Sequence, residues 1–260
     1  MSWTLDSIGP MARNVRDCAL ILDALSKPDL RDETTLGQPL ENFSKEPRSV
    51  RGMRLVLPEV KQLPSFTHPA VIESWENAAR VFESLGAVVI SKQLPDWFFD
   101  LAEQTGRIIA SEAYSLHRDY VNDMSVPLGP AVRQRMQAAE KFKPGEYAQS
   151  LRTMGEQRQI FAQWFEPYDA ILLPTVAIPA IAINDVVETA LMPGYLTRPI
   201  NYLGLCALSL PAGLFNGLPL GLQIVGKPFQ ERTVLSLGQA LESSTEFHQH
   251  HPDLSSLGLD

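Results

Sequence analysis

The chain has 260 residues, 45% of them apolar and 20% charged, which describes a globular protein able to bury one sizeable core and excludes disordered and fibrous classes. Twenty-two basic against thirty acidic residues give a formal charge of −8, without the basic footprint of a chain that grips phosphate backbones, so direct nucleic-acid binding is not expected. No run approaches 18 apolar residues and the N-terminus lacks a basic-then-apolar leader, so neither membrane insertion nor Sec export is expected. Cys18 and Cys206 stand far apart in apolar surroundings, neither a disulfide framework nor a metal-ligand spacing, which suits a reducing cytoplasm.

Val15, Cys18, Ala19, Leu22 and Leu25 fall at helical spacing after Asn14, a capping residue, and Lys27-Pro28 ends the run. Residues 27–50 read as surface loop. A strand over Met53–Leu57 stops at Pro58. It is followed by a helix carrying Ile72, Trp75, Ala79 and Phe82, a terminating Gly86 and the β-branched run Val88–Ile90. That order is a βαβ crossover and predicts parallel pairing in an α/β sheet. From Pro95 to Tyr168 the pattern predicts three helices, broken at Pro127-Leu-Gly-Pro130 and Pro144-Gly145. Tyr168–Pro174 reads as a buried strand. A poorly patterned, proline-bearing loop then runs toward Pro199, and Asn216-Gly217 between Ala207–Leu210 and Leu220–Val225 is a hairpin signal. Arg232–Glu242 supplies a last helix before a polar tail. No internal repeat or domain boundary is apparent.

Few residues carry obvious chemistry. The tail histidines His248, His250 and His251 have no acidic or cysteine partner at a recurring ligand spacing, so no metal is expected. His117 lies three residues after Tyr114 and five after Glu112, with no serine or cysteine in a nucleophile-like turn beside it, and reads as pocket-lining or simply hydrogen-bonded. Arg133 and Arg135 follow a Pro-Leu-Gly-Pro break, where an arginine fork suits a substrate carboxylate. No two glycines are adjacent, which removes the phosphate loop and the glycine-flanked serine elbow.

Three segments together are specific. Ser2-Trp-Thr-Leu-Asp6-Ser-Ile-Gly-Pro10-Met-Ala-Arg13, Tyr168-Asp-Ala-Ile-Leu-Leu-Pro-Thr175, and Thr197-Arg-Pro-Ile-Asn201-Tyr-Leu-Gly204 running on to Gly226-Lys-Pro-Phe229 resemble, in order, the C-terminal part of the amidase signature family. The resemblance implies an α/β fold with a mixed sheet covered by helices. It also implies one partial amidase domain over residues 1–260: a βαβ unit at about 51–92, helices at 95–167, strands and a helix at 168–243, and a tail at 244–260. The family cleaves carboxylic amides to acid and ammonia or amine with a serine, a second serine in a cis peptide and a lysine, and needs no cofactor. A serine hydroxyl is a poor nucleophile until a base takes its proton, and a desolvated neutral lysine can do so through a bridging serine.

The family places that machinery in a glycine- and serine-rich segment with no counterpart here, where the only paired serines are Ser243-Ser244 and Ser255-Ser256. No catalytic residue is therefore assigned. Met1 stands where a family chain would run on, so the chain is expected to be the C-terminal part of an amidase, inactive and marginally stable alone. The partners left open are a separately encoded N-terminal half or a second copy; the alternative is a non-catalytic scaffold remnant. The resemblance makes Glu112, Tyr114, His117, Arg133, Arg135 and the loop residues Tyr195, Thr197 and Asn201 candidates for lining the pocket of a small amide, although Thr197 and Asn201 also suit bonding to loop main chain. Two departures stand out. Transamidating A subunits that make glutaminyl-tRNA carry an acidic residue three positions before Thr197, here Gly194, which argues for a general amidase. Cys206 replaces a usual proline and reads as a packing residue.

Overall fold

A computed structural model describes residues 2–38, 41–187 and 194–252. Among them the strands β1 (Arg54–Leu57), β2 (Val88–Ser91), β3 (Ala170–Pro174), β4 (Cys206–Phe215) and β5 (Leu218–Gly226) pair in the order β2-β1-β3-β5-β4. β1 lies parallel to both β2 and β3, whereas β5 runs antiparallel to β3 and β4. The sheet is mixed, and the α-helices below complete the α/β fold that the resemblance implies.

Sequence chemistry accounts for the crossover. Helix α2 (Pro69–Ser84) starts where His68 Nδ1 accepts the Ala70 N–H at 3.1 Å and Pro69 supplies a pre-set first turn. It buries Val71, Trp75, Ala78, Ala79 and Phe82. Ile72, expected on that face, is only half-buried, because the helix rolls to bring Val71 and Ala78 inward. Trp75 donates from its indole to the Leu172 carbonyl at 2.9 Å, which satisfies its N–H inside the core. At β3 all five residues are buried between parallel and antiparallel neighbours, as an unbroken apolar run requires.

The hairpin forms where Asn-Gly predicts it. Asn216 and Gly217 both have positive φ, 51° and 77°, the primed-turn geometry that matches strand twist. At Gly213 a Cβ would stand 2.4 Å from Ser74 Oγ, so the close approach of α2 to β4 requires glycine.

Helices α1 (Val15–Leu25) and α7 (Glu231–Ser243) pack on each other, and α7 also packs on β4 and β5. Asn14 caps α1, accepting the Asp17 N–H at 2.8 Å. The three expected middle helices are α3 (Leu101–Val121), α4 (Pro130–Gln137) and α5 (Pro144–Phe165). One expectation fails: the stretch read as loop up to Asn201 becomes helical as α6 (Arg198–Leu203), with Pro199 in its first turn and Gly204 at φ 68° ending it. Six residues are too few to show a periodic pattern, so start and stop residues are its only signal. Within the tail, Phe247–Gln249 forms a 3₁₀ turn against β4. Ser255-Ser256 lie outside the described residues.

Candidate functional site

Helix α3 carries the first group of candidates, and it divides them by face. Leu101, Thr105, Ile108 and Glu112 recur at three- and four-residue spacing and all are buried, Glu112 to 1% exposure. Its carboxylate accepts from the hydroxyls of Ser2 and Thr4, from the Thr4 N–H at 3.2 Å and from the Tyr147 hydroxyl at 2.8 Å. Ser2 Oγ in turn accepts the Leu5 N–H at 3.2 Å. Four donors thus hold this carboxylate, and burial followed by the Glu112 hydrogen bond pushes the Tyr147 phenol above its ordinary pKa. Glu112 fastens the Ser2–Leu5 segment between α3 and α5.

Tyr114 and His117 point elsewhere. The Tyr114 hydroxyl donates to Glu140 at 3.0 Å, and Asn122 donates to the same carboxylate oxygen at 2.7 Å. His117 Nδ1 lies 2.6 Å from the Tyr120 hydroxyl one turn on. Both are half-buried on the C-terminal half of α3, and Tyr114 packs against the cluster of Ala113, Val121 and Met136.

The two arginines of α4 separate as sharply. Arg133, 6% exposed, donates to the carbonyls of Val121, Asp123 at 3.0 Å and Val126 at 2.6 Å. It gathers the turn joining α3 to α4. Arg135 is exposed, bonds among the described residues only its own helix, through Nε to the Ala131 carbonyl at 3.3 Å, and stands at the mouth of a cleft of 640 Å³. That volume suits a small organic ligand.

Aromatic and apolar side chains wall this cleft, among them Phe99, Ile109, Met136, Phe142 and Tyr195. Tyr195 stacks on Phe99 at 6.4 Å between ring centroids, with 12° between the planes. Burial, followed by the negative charge of Asp100, raises its phenol pKa. Half-buried Arg198 completes the lining, and among the described residues its side chain makes only a long 3.5 Å contact to the Ala102 carbonyl. Burial, then the neighbouring positive charge of Arg135, lowers its pKa. On the rim, Arg107 pairs with Glu103 at 2.9 Å.

The cleft therefore brings together Arg135 and Tyr195 from the expected set and adds Arg198. Thr197 bonds loop main chain as expected, its Oγ1 donating to the Gly194 carbonyl at 3.2 Å, whereas Asn201 takes part through its main chain, its carbonyl accepting the Gly204 N–H at 3.0 Å. The signal for Arg198 is its place in the Arg-Pro start of a short helix, where the side chain of the first turn leans back toward α3. A second cleft, of 410 Å³, opens between α1 and the start of α7 and holds none of the expected residues. The Cys206 thiol donates to the Lys227 carbonyl at 3.1 Å and burial pushes its pKa up to about 12, which makes it an inert packing group.

The Amidase family model matches residues 1–235 of the chain. The A subunit of glutamyl-tRNA(Gln) amidotransferase from Enterococcus faecalis is 34% identical over 277 residues, which cover 96% of this chain and 56% of that protein. The crystal structure of the corresponding A subunit from Thermotoga maritima superposes with a TM-score of 0.78 at 26% identity, over 96% of this chain and 56% of the other. A chain from a vestigial protein complex that reveals the evolutionary origins of an s-triazine catabolic enzyme matches with a TM-score of 0.81 at 22% identity, over 94% of this chain and 54% of its own; it shares the fold. The chain spans about half the length of the curated relatives it matches. On the combined match of sequence and fold, this chain belongs to the Amidase family.

Proposed function

We propose that this chain supplies one wall of the substrate pocket of an amide hydrolase, a C–N bond-cleaving enzyme that releases an acid and ammonia or an amine. The observation that carries the reading is the 640 Å³ cleft in which Tyr195 and Arg198, beside and within the Thr197–Gly213 signature stretch, face α3 and Arg135. In this reading residues 1–260 act as one partial amidase domain, supported by a core that runs from Leu5 to Leu241 around a single sheet. The serine nucleophile and its lysine come from a glycine- and serine-rich segment, joined to this chain or bound to it. The long strand β4, paired on one side only among the described residues, supports such a partner, because an open sheet edge offers unpaired N–H and C=O groups. The two unpaired cysteines support a cytoplasmic location, and no helix among the described residues is long and apolar enough to cross a membrane.

A second reading, a part of the A subunit of a glutamyl-tRNA(Gln) amidotransferase, is favoured by the identity to the Enterococcus faecalis protein. Gly194 speaks for the general hydrolase. A Cβ at this position would lie 3.6 Å from Arg198 Nε, so an acidic side chain there would pair with the guanidinium, whereas with glycine Arg198 has no ion-pair partner among the described residues and is hostile to an ammonium group. Co-expression of the chain with the glycine/serine-rich segment of a family member, followed by an ammonia assay on a panel of simple amides and on glutamine, tests both. Ammonia from simple amides and none from glutamine is expected, with no turnover by the chain alone. Hydrolysis by the pure chain would sink the divided-pocket reading, and glutamine-only turnover would favour the second.

A further inference from the structure

We propose that the cleft between α3 and α6 selects an anionic ligand, a small carboxylate carried on an aryl or branched-alkyl group, with Arg198 as its principal anchor and Arg135 as a second cation at the mouth. This deepens the pocket-wall reading by naming the charge of what enters, and it rests on that reading only for the step from binding to substrate.

Cation placement is the first argument. Arginines on exposed helices are ordinarily solvated or paired with carboxylates. Arg107, on the rim, follows that rule with Glu103 at 2.9 Å. Arg198 is half-buried, forms no ion pair among the described residues, and shares the cleft with a second unpaired arginine. Keeping the half-buried Arg198 guanidinium beside a second, solvent-facing cation is unfavourable for the empty protein and becomes favourable when an anion joins them. The lowered pKa of Arg198, from burial and from Arg135, is the same strain seen in its protonation.

Net charge is the second. The cleft counts Arg107, Arg135 and Arg198 against Asp100 and Glu103, a surplus of one positive charge in a chain whose formal charge is −8. A cation-rich concavity on an acidic surface focuses potential on that opening and raises the local concentration of anions. Walls set the rest of the ligand. Phe99, Ile109, Met136, Phe142 and Tyr195 offer apolar contact that inorganic phosphate cannot use and an aryl or branched-alkyl group can.

Titration calorimetry of the full chain near neutral pH and at low salt tests this with benzoate, benzamide and inorganic phosphate. Benzoate should bind one to one, with benzamide and phosphate weaker by about tenfold or more, as expected when a charge-assisted contact or the apolar contact is missing. Arg198→Gln should weaken benzoate by about tenfold, Arg135→Gln by a smaller factor and Arg107→Gln, on the rim and paired with Glu103, least of the three, while Arg152→Gln on α5, outside the cleft, leaves it unchanged. Equal affinity for benzoate and benzamide, undiminished binding by Arg198→Gln, or no saturable benzoate binding would overturn the proposal; phosphate as tight as benzoate would overturn the apolar part of it. Arg135→Gln, on an exposed side chain, provides the same test should Arg198→Gln fail to fold. Because the readout is binding, failure of amide hydrolysis in the co-expressed enzyme leaves this result standing, and the reverse.

Discussion

Around Glu112 and Arg133 each charged group is surrounded by polar atoms of the chain itself, whereas in the cleft Arg135 and Arg198 face apolar walls and open space. The two regions share helices α3 and α4 and lie within two residues of each other at Arg133 and Arg135. Buried charges are retained when their partners are complete, and they then stabilise a particular arrangement: Glu112 holds the Ser2–Leu5 segment, Arg133 the turn between helices. Charges left without partners in a concavity contribute little to the fold and remain available to a ligand. Side chains of one type, two positions apart, are thus divided between stability and recognition.

The sharpest way to break this comparison is Arg133→Met. Three carbonyls would lose their donor while the apolar volume is kept, and unfolding should be easier by about 3 kcal/mol, read as a lower urea midpoint with an unchanged slope. Glu112→Gln comes next. An amide cannot accept from all four donors that converge on the carboxylate, and the expected loss is about 2 kcal/mol by the same measurement, with earlier proteolysis near Ser2–Leu5.

Glu231 extends the comparison to pH. Burial, then the nearby Glu41 charge, raises its carboxyl pKa above the ordinary 4.5, with its own backbone N–H opposing. As pH falls from neutral through the raised value, the folded chain takes up the proton before the unfolded chain does, so this residue's contribution to stability rises until the unfolded carboxyl also protonates near 4.5. Glu231→Gln should remove that contribution and leave the chain at least as stable at neutral pH; melting temperatures of both forms over the same pH range check it. The smallest effect belongs to Arg198→Gln, whose unfolding free energy should stay within about 0.5 kcal/mol of the parent while benzoate binding falls. A large loss of stability there would make Arg198 another structural group like Arg133.

Local rules explain which parts of the fold are legible in the sequence. Asn14 before an apolar-periodic run, the Pro69 start of α2 and Asn216-Gly217 between two strands each act within a few residues, so their outcome is decided by neighbours in sequence. The parallel pairing of β1 and β2 follows from connection length and handedness. Helix α6 escapes because it is shorter than two turns, and Ile72 lies shallower than its spacing predicts because the roll of α2 is set by the close approach to Gly213, not by α2 itself.

The site is less legible than the fold for the same reason. Motifs, composition and spacing named Glu112, Arg133 and Arg135 as charged residues on helices, and by themselves determined family, the place of each α-helix other than α6, and the hairpin turn. Whether a charge would be consumed or left open depended on groups 110 residues away, as for Ser2 and Glu112, or on a neighbouring helix, as for Arg135 and Arg198. Only tertiary packing decides that, because the cost of burying a charge is fixed by the partners the fold delivers to it and by the water it excludes.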